Sequence, residues 1–420
     1  MQRSFAKEVT TDAVGRKLML SGWLRRVRVV GSDLAFLILA DGSGSAQVLL
    51  GRELVSSLPP LESAITVRGV VQESRSRDYQ AELVAESLEV VAVSDPLPFP
   101  LNHSALEVGL DLVDRFRPLA LRHPAMQTTF RLQHAVIQHF EEFFTGEGFT
   151  KIMTPKVLTT GTEGGADLFK VDYFGQTAYL AQSPQFFKQM LVGSGFERVY
   201  EVGPVFRAEE HRTSRHLNEF VSLDIEMGFV NDANDLITLE ETFLNSLLEA
   251  LAPRFGAKMV IKGAQKPIPR ISLSEALAVL EKQHGKQSRD GNIDPEGERL
   301  ISAWAEREYG VPAVFLHSYP TDIRPFYTLA RAEEPGLTHS FDLIFRGQEI
   351  TSGGLRIHNV AQLSQALAKR GLNPETYEFY LQVFRYGMPP HGGFAIGAER
   401  LTALLLGLNN IREASILPIF

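Results

Sequence analysis

The sequence predicts two folded parts, a small all-β barrel followed by a larger α+β domain built around an antiparallel sheet. Residues 1–95 contain short runs rich in β-branched and apolar residues, broken by Gly, Asp and Ser. After them, strand patterns and amphipathic helical patterns follow one another without the regular alternation that a parallel sheet requires. A chain of 420 residues is long enough for two or three domains with real cores.

The amino-terminal runs are KLMLSGWLRRVRV, DLAFLILADGSGSAQVLLG, SAITVRGVVQES and QAELVAESLEVVAV. Five strands of this size suit a small closed barrel, for which OB-fold topology is the obvious candidate. Residues 1–30 hold seven basic residues against two acidic ones, with Trp23 and Phe36 nearby. Cations beside aromatic rings suit single-stranded nucleic acid. A solvated strand surface is the plainer alternative.

Composition excludes several functional classes. A net charge of −8 argues against a uniformly basic coat, although a local basic face remains compatible with it. The absence of cysteine excludes disulfides, thiolate metal sites and a thiol nucleophile. The start, MQRSFAKEVTTD, has no apolar signal segment, and no apolar run reaches membrane-spanning length. We therefore expect a cytoplasmic protein without a membrane partner.

A proline-bearing linker, SDPLPFPLNHSA, separates the two parts. We predict the barrel over residues 1–95, a hinge over 96–120, and the α+β domain over 121–420 with a helical insertion at about 232–310. The helix after the linker should end at Gly146 and Gly148, and the next strand carries Pro155, which suits an edge or an interface. Within the insertion, Ser272 with Glu275 forms a capping-box pattern, and Asp294 precedes Pro295 as an N-cap.

The stretch FRAEEHRTSRHLNEF, residues 206–220, places arginines at a charged hairpin tip between two apolar strands. Glycine-rich phosphate motifs of the P-loop and dinucleotide-binding types are absent from the sequence. A guanidinium offers an alternative grip, because its paired donors match phosphate oxygens. Arg207 ends an apolar strand, and Glu209 on the same side could accept a hydrogen bond from an adenine amino group. A solvated charged hairpin is the alternative.

Two further segments carry groups that a nucleotide would need. FDLIFRGQE places Asp342 and Glu349 near the ends of one β segment, and paired carboxylates suit Mg²⁺ with phosphates. GAERL places Arg400 in the first turn of a helix after a glycine-rich strand. A buried arginine there needs an anion, which an ordinary salt bridge would also supply.

Taken together and in order, these segments resemble the three signatures of the class II aminoacyl-tRNA synthetases. They are a long helix with a strand ending in proline (residues 122–155), FRAE with a loop and returning strand (206–226), and AIGAERL (395–401). Each is short and degenerate, but the ordered set is specific. TEGGADLF, YLAQSPQFFKQ, RHLNEFVSLDIEM, FDLIFRGQEITSGGLRIH and GLNNIREA resemble the archaeal-type aspartyl branch, over essentially the whole chain.

The resemblance implies a fold and a reaction. It implies an OB-fold anticodon-binding barrel, a class II catalytic domain with helices flanking an antiparallel sheet, and ATP-dependent ligation of L-aspartate to tRNA(Asp) through aspartyl-adenylate. Arg207 and Arg400 are the implied catalytic residues, because in-line attack on phosphorus needs positioning and charge neutralisation more than a base.

The resemblance also implies a set of binding residues. The implied ATP contacts are Arg207, Glu209, Arg215, His216, Leu217, Glu349, Gly397, Ala398, Glu399 and Arg400. The implied amino-acid contacts are Glu163, Gln185, Lys188, Arg207, Ser352 and Arg356. Mg²⁺ is implied on Asp342, Glu349 and Ser352, and anticodon contacts are implied for Arg26, Arg28, Phe36 and Gln47.

Asparaginyl enzymes share nearly all of these residues. We favour aspartate because Lys188 beside Arg356 would place two cations near the substrate side chain, whereas the asparaginyl branch has an acid near this point. A non-catalytic RNA-binding paralogue would have lost residues such as Glu349. A tRNA-independent amide-forming ligase would lack the barrel, and a bacterial-type aspartyl enzyme would carry a large extra domain before the third signature.

The sequence departs from the family pattern in two places. The usual RDLG after the first strand is VVG here (Val29–Gly31), in the stretch that meets the anticodon, and the chain ends ILPIF in place of ILFPRD with a basic tail. The first departure leaves two partner sets open, tRNA(Asp) alone or tRNA(Asp) with tRNA(Asn). The family also implies a homodimer formed through the first signature.

Overall fold

The computed structural model describes residues 2–103, 105–161, 168–209, 213–259, 267–288 and 291–418. Contacts between Cα atoms divide the chain into two compact units, Met1–Ala125 and Met126–Phe420. The predicted fold class is confirmed, since a five-stranded barrel lies in the first unit and a largely antiparallel sheet with helices lies in the second.

The first unit contains a closed barrel with strand order β1-β2-β3-β5-β4. Its strands are β1 (Lys17–Val30), β2 (Leu34–Asp41), β3 (Gly44–Gly51), β4 (Ala64–Glu73) and β5 (Ala81–Ala92), with the short helix α1 (Arg52–Val55) after β3. Ala35, Leu37 and Leu39 of β2 are fully buried, and the residues between them are partly exposed. This period of two directs every second side chain into the barrel core.

Two short helices, α2 (Leu110–Arg115) and α3 (Arg117–Ala120), follow the barrel within the first unit. The long helix α4 (Pro124–Gly146) then leads into the second unit and ends at the predicted Gly146. The next strand is shorter than predicted: β6 (Thr150–Lys151) has two residues and stops before Pro155. It forms the edge of the large sheet, but Pro155 lies outside it, so the prediction that this strand carries the proline is wrong.

The second unit is built on an eight-stranded sheet of order β12-β13-β14-β15-β16-β11-β10-β6. Its remaining strands are β10 (Arg198–Phe206), β11 (Glu219–Gly228), β12 (Arg270–Ser272), β13 (Ala313–His317), β14 (Ser340–Phe345), β15 (Gln348–Arg356) and β16 (His391–Gly397). In this sheet the central pairs from β13 to β10 are antiparallel, whereas the outer pairs β12–β13 and β10–β6 are parallel. A separate small sheet joins β7 (Val157–Leu158), β8 (Lys170–Tyr173) and β9 (Gln176–Leu180).

The other helices of the second unit are α5 (Gln185–Leu191), α6 (Ala233–Phe255), α7 (Leu273–His284), α8 (Pro295–Tyr309), α9 (Val360–Lys369), α10 (Glu378–Phe384) and α11 (Ala398–Leu406). Both predicted caps of the insertion are confirmed. The Ser272 side chain accepts from Glu275 N at the start of α7, and Asp294 accepts from Gly297 N at the start of α8.

Aromatic packing joins α4 and α6 to the central sheet. The Phe140 ring lies 5.4 Å from Phe243 of α6, and Phe144 lies 6.2 Å from Phe394 of β16, measured between centroids. These side chains are fully buried. The two helices therefore cover one face of the strands that carry the candidate site. No helix in the described part of the chain is long and apolar enough to cross a membrane.

Candidate nucleotide and amino-acid site

Antiparallel pairing brings distant parts of the sequence to one end of the central sheet. Phe206, at the end of β10, pairs with Glu219 at the start of β11, and Ser222 of β11 pairs with Gly397 at the end of β16. β16 also pairs with β15, where Ser352 lies opposite Ala395. The end of β10 and the start of α11 therefore lie at the same edge as the start of β15.

A pocket opens at this edge and contains most of the sequence-predicted ATP contacts. Its lining includes all of them except Ala398, namely Arg207, Glu209, Arg215, His216, Leu217, Glu349, Gly397, Glu399 and Arg400. Ala398 is fully buried as the first residue of α11. Phe220 and Ser222 of β11 and Ile411 also line the pocket, and sequence reasoning did not find them.

The two predicted catalytic arginines face this one pocket and form no direct ion pair among the described residues, although Glu349 and Glu298 lie near enough to act on Arg400 electrostatically. The Arg207 guanidinium lies 5.6 Å from the centre of the Phe220 ring. Arg400 is held by backbone carbonyls, since Nη1 donates to Glu349 O at 2.6 Å and Nη2 donates to Arg215 O at 3.5 Å. Their positive charge is thus available to an anionic ligand.

The hairpin tip adds a paired arginine and a histidine. Arg215 forms an ion pair with Glu298 of α8, and its Nη1 has no hydrogen-bond partner in the described structure. Burial lowers the pKa of His216, and the charges of Arg400, Arg215 and Arg207 lower it further against the opposing effect of Glu209. His216 is therefore neutral at pH 7.

Glu399 and Glu349 are carboxyl groups with raised pKa values. Burial raises the pKa of Glu399 to about 7, although its oxygens accept from Val221 N at 3.0 and 3.2 Å. Burial raises the pKa of Glu349, and the negative charge of the neighbouring Asp342 raises it further, to about 7. The positive charges of Arg400 and Arg324 oppose this shift. Such carboxyl groups would be stabilised by a cation.

The three predicted metal ligands lie on the adjacent strands β14 and β15. Asp342 pairs directly with Ser352, and Glu349 pairs with Ile344. Asp342 is buried, and its Oδ1 has no hydrogen-bond partner within the described ranges. No group of three or more His, Asp or Glu residues in those ranges is arranged to hold a metal ion. Two carboxylates fit Mg²⁺ when phosphate oxygens and water complete its shell.

Further along the sheet, three of the predicted amino-acid contacts, Gln185, Lys188 and Arg356, form a buried network with two acids. Lys188 of α5 donates to Asp224 Oδ1 at 2.8 Å and lies 3.5 Å from Glu226 Oε2. Arg356 Nε donates to Glu226 Oε1 at 3.0 Å, and Gln185 Nε2 donates to Glu226 Oε2 at 3.3 Å. The expectation that Lys188 and Arg356 are cations in need of an anion is therefore incomplete, because both already have acidic partners.

Charge pairing also sets the state of Glu226. Its complete burial would raise its pKa, but the Arg356 and Lys188 charges outweigh that effect and lower it. Asp224 keeps one buried oxygen, Oδ2, without a hydrogen-bond partner in the described structure. Both acids lie on β11 in the run LDIEM, and acids at alternate positions of an otherwise apolar strand were the signal that sequence reasoning overlooked.

A neutral histidine, His391, lies next to this network, opposite Arg356 on the neighbouring strand. Burial lowers the pKa of His391 to about 4. Its Nδ1 donates to Pro389 O at 2.9 Å, so Nε2 accepts from Gln189 Nε2 at 2.8 Å. The Tyr380 hydroxyl donates to Gln189 Oε1 at 2.8 Å. This chain of bonds fixes the orientation of α5, which carries Lys188.

The predicted anticodon contacts lie on neighbouring strands of the barrel. The Arg28 guanidinium of β1 stacks 5.3 Å from the centre of the Phe36 ring on β2, and Arg26 donates to Asn102 O at 3.1 Å. Gln47 of β3 is buried, and its Nε2 donates to Glu82 Oε2 at 2.5 Å. Arg28 and Phe36 thus offer an exposed cation and a ring to a ligand, whereas the Gln47 amide nitrogen is already bonded.

Two parts of the site were beyond local pattern recognition. Glu298 reaches the hairpin from α8, far away in sequence, and Arg324 reaches Asp342 from a loop. Glu163, predicted to hold the amino acid, lies outside the described residues.

Residues 110–420 match the family described as tRNA synthetases class II (D, K and N), and residues 19–91 match the OB-fold nucleic acid binding domain. The chain belongs to this class II tRNA synthetase family.

Individual relatives resemble the chain over nearly its full length. It is 44% identical over 411 residues to an aspartate–tRNA(Asp/Asn) ligase of Thermus thermophilus, covering 96% of each chain. It is 37% identical over 433 residues to an aspartate–tRNA(Asp) ligase of Pyrococcus abyssi, covering 100% of this chain and 98% of the relative. A crystal structure of asparaginyl-tRNA synthetase from Pyrococcus horikoshii with asparaginyl-adenylate is 28% identical, with a TM-score of 0.91 and coverage of 100% and 98%.

Proposed function

We propose that the chain is an aspartate–tRNA ligase, which joins L-aspartate to tRNA(Asp) with ATP. The observation that carries the proposal is the convergence of Arg207 and Arg400 on one pocket without a direct ion pair in the described structure. An anionic nucleotide would supply the missing negative charge. The relatives named aspartate–tRNA ligases support aspartate as the amino acid.

The reaction proceeds in two steps. The aspartate α-carboxylate attacks the α-phosphorus of ATP in line, forming aspartyl-adenylate and releasing pyrophosphate. The 3′-terminal ribose hydroxyl of tRNA then attacks the acyl carbon, forming the ester and releasing AMP. Arg207 holds the reacting carboxylate against the α-phosphate, and Arg400 holds the γ-phosphate end, so both act by positioning and charge neutralisation.

The remaining pocket residues hold the rest of ATP. Glu209 accepts from the adenine amino group, and Arg215, His216 and Leu217 line the path of the triphosphate. Asp342, Glu349 and Ser352 would hold Mg²⁺, whose charge would offset that of the phosphates. The buried Asp342 Oδ1, which has no hydrogen-bond partner among the described residues, supports this assignment.

The amino acid binds beside the buried network. Lys188 and Arg356 face its side chain with Ser352 nearby, while Gln185 and Glu163 hold its ammonium group. The neutral His391 keeps this region free of a third positive charge at pH 7.

Domain roles complete the proposal. Residues 1–95 bind the anticodon through Arg26, Arg28, Phe36 and Gln47, residues 96–120 form the hinge, and residues 121–420 carry catalysis. tRNA(Asn) is a second acceptor, supported by the relatives named for both tRNAs and by VVG at Val29–Gly31 in place of the family's usual RDLG. The enzyme works in the cytoplasm. It is a homodimer, which is supported by the edge position of β6 and by Met153 beside it, whose side chain is 91% exposed.

One set of charging assays tests the proposal. Purified enzyme is given transcripts of tRNA(Asp) and tRNA(Asn) with labelled aspartate and, separately, labelled asparagine. Aspartate should be attached to tRNA(Asp). Attachment of asparagine alone would instead identify an asparaginyl enzyme, and no attachment together with no ATP–pyrophosphate exchange would identify a non-catalytic paralogue.

A variant connects the activity to the pocket. Arg207→Ala should reduce ATP–pyrophosphate exchange by about a hundredfold or more, the usual effect of removing a group that stabilises transition-state charge. Arg307→Ala serves as the control, because Arg307 is exposed near the end of α8 and pairs with Glu308. Unchanged exchange in Arg207→Ala, with an unchanged circular dichroism spectrum, would refute the assignment.

A further inference from the structure

The proposed metal ligands already contact a cation that belongs to the chain. Arg324 Nη2 donates to Asp342 Oδ2 at 2.6 Å, and Arg324 Nη1 donates to Ser352 Oγ at 3.1 Å. Asp342 and Ser352 are two of the three residues assigned to Mg²⁺. A guanidinium therefore occupies the position in which a divalent ion would compensate these oxygens.

The fold aims Arg324 at this position. Arg324 directly follows a short 3₁₀ turn, Thr321–Ile323. Arg370 clamps the turn, because its Nη2 donates to the carbonyls of Thr321, Asp322 and Arg324 at 3.0, 3.1 and 2.6 Å. The Arg324 guanidinium lies 3.6 Å from the centre of the Tyr319 ring. The backbone is thus fixed, and only the long side chain has to rotate for the contact to open.

The ion pair is incompletely satisfied on both sides. Within the described ranges, neither Arg324 Nε nor Asp342 Oδ1 has a hydrogen-bond partner, although both atoms are buried. The barrel contains a contrasting pair in which Arg25 Nη1 donates to both Glu62 oxygens at 2.7 Å. A permanent structural pair would be expected to use its buried atoms as the barrel pair does.

The surrounding charges make the contact exchangeable. Glu349 is repelled by the negative charges of Asp342 and Glu298. It is attracted by the positive charges of Arg400 and Arg324. Without any cation, these carboxylates would repel one another in a region of low dielectric. Arg324 supplies the compensating charge when the ion is absent, and a bound divalent ion makes that charge redundant.

We propose that Arg324 is an internal competitor for the metal site: it holds Asp342 and Ser352 in the metal-free enzyme and leaves them when a divalent cation binds. This inference rests on the proposed function, since the metal site is part of it. Because two cations compete for the same oxygens, metal binding and the Arg324 contact are thermodynamically linked.

Direct metal binding tests the inference without measuring activity. Mn²⁺ is titrated into the full-length protein without ATP, and free Mn²⁺ is measured by electron paramagnetic resonance. Arg324→Gln should bind Mn²⁺ about tenfold more tightly than the wild type, a change within the usual range for coupled ligands. Arg324→Lys should fall between them, because an ammonium keeps the charge but lacks the fork that reaches both oxygens.

Arg331→Gln is the matched control. Arg331 lies in the same loop region, but its Nη1 donates to Ser318 Oγ at 2.7 Å and it lies 3.7 Å from Glu334. It should bind Mn²⁺ like the wild type. Thermal unfolding of each variant establishes that the fold is kept, and Arg324→Lys remains informative if Arg324→Gln does not fold.

Two outcomes would overturn the competitor role of Arg324 and leave the proposed function standing. Equal or weaker Mn²⁺ binding by folded Arg324 variants, with binding intact in the wild type, overturns the competitor role alone. Absence of specific Mn²⁺ binding in the wild type and in every variant overturns this inference alone, because the proposed metal site is completed by the phosphate oxygens of ATP, which is absent from this titration.

Discussion

Glu240 provides a test of the electrostatics behind the site. It lies on α6, is completely buried, and its Oε1 accepts from Thr351 Oγ1 at 2.5 Å. Its Oε2 has no hydrogen-bond partner in the part of the chain that is described. Burial raises the pKa of Glu240 from 4.5 to about 8, and the Asp342 charge adds to the effect against the Thr351 hydrogen bond. Replacement by glutamine keeps the shape and removes the titration.

The sign and size of the effect follow from linkage. Below pH 4.5 the carboxyl is protonated in both the folded and the unfolded state, so it contributes no pH dependence. Between pH 4.5 and about 8 only the unfolded state loses the proton, so the unfolding free energy falls as the pH rises. The difference between these pKa values, at about 1.4 kcal/mol per pH unit, gives a loss of about 5 kcal/mol by pH 8.

Urea unfolding of wild type and Glu240→Gln between pH 5 and pH 8 measures this difference. The stability of the variant relative to the wild type should rise steadily across that range. Glu249→Gln, an exposed change on the same helix, should give a curve parallel to the wild type. Parallel curves for Glu240→Gln as well would show that Glu240 is not protonated in the folded state, and the reasoning would fail.

Two further predictions concern the framework of the sheet and of the insertion. Gly393→Ala would place a Cβ 2.1 Å from Ile225 O, so we expect the free energy of unfolding, measured by thermal unfolding, to fall by about 3 kcal/mol. Gly146→Ala, whose added Cβ meets nothing within 4 Å, should not destabilise the protein, and equal effects of the two changes would contradict the packing argument. Ser272→Ala removes the side-chain acceptor for Glu275 N and should cost about 1 kcal/mol in the same measurement. No change there would show that the capping box contributes nothing to α7.

Sequence patterns predicted the parts of the structure that depend on neighbours in the chain. The barrel strands follow from apolar alternation, and the start of α7 follows from Ser272 and its partner three residues later. Arg207 directly follows the end of β10, and Arg400 lies in the first turn of the helix after β16. Both were identified because a side chain at the end of a strand can face an open edge of the sheet.

Residues that depend on tertiary approach escaped this reasoning. Arg324 lies in a loop whose path is fixed by hydrogen bonds from Arg370, and no local pattern places it against Asp342. Glu240 did leave a signal, because it interrupts the apolar stripe of α6 that includes Leu236, Phe243 and Leu247. A charged residue in such a stripe is buried by the helix period and must find a partner or a proton.

The acids paired with Lys188 and Arg356 change the physical basis of amino-acid selection. Two buried cations facing two buried acids form a nearly neutral set, so net charge alone does not favour a carboxylate over an amide. Lys188 and Arg356 have only hydrogen-bond donors. In the proposed site, both oxygens of an aspartate side chain can accept from them, whereas the amide nitrogen of asparagine would turn N–H groups towards N–H groups. A mismatch of donors in a buried site discriminates more strongly than a difference in size, so selection for aspartate has to arise from hydrogen-bond direction.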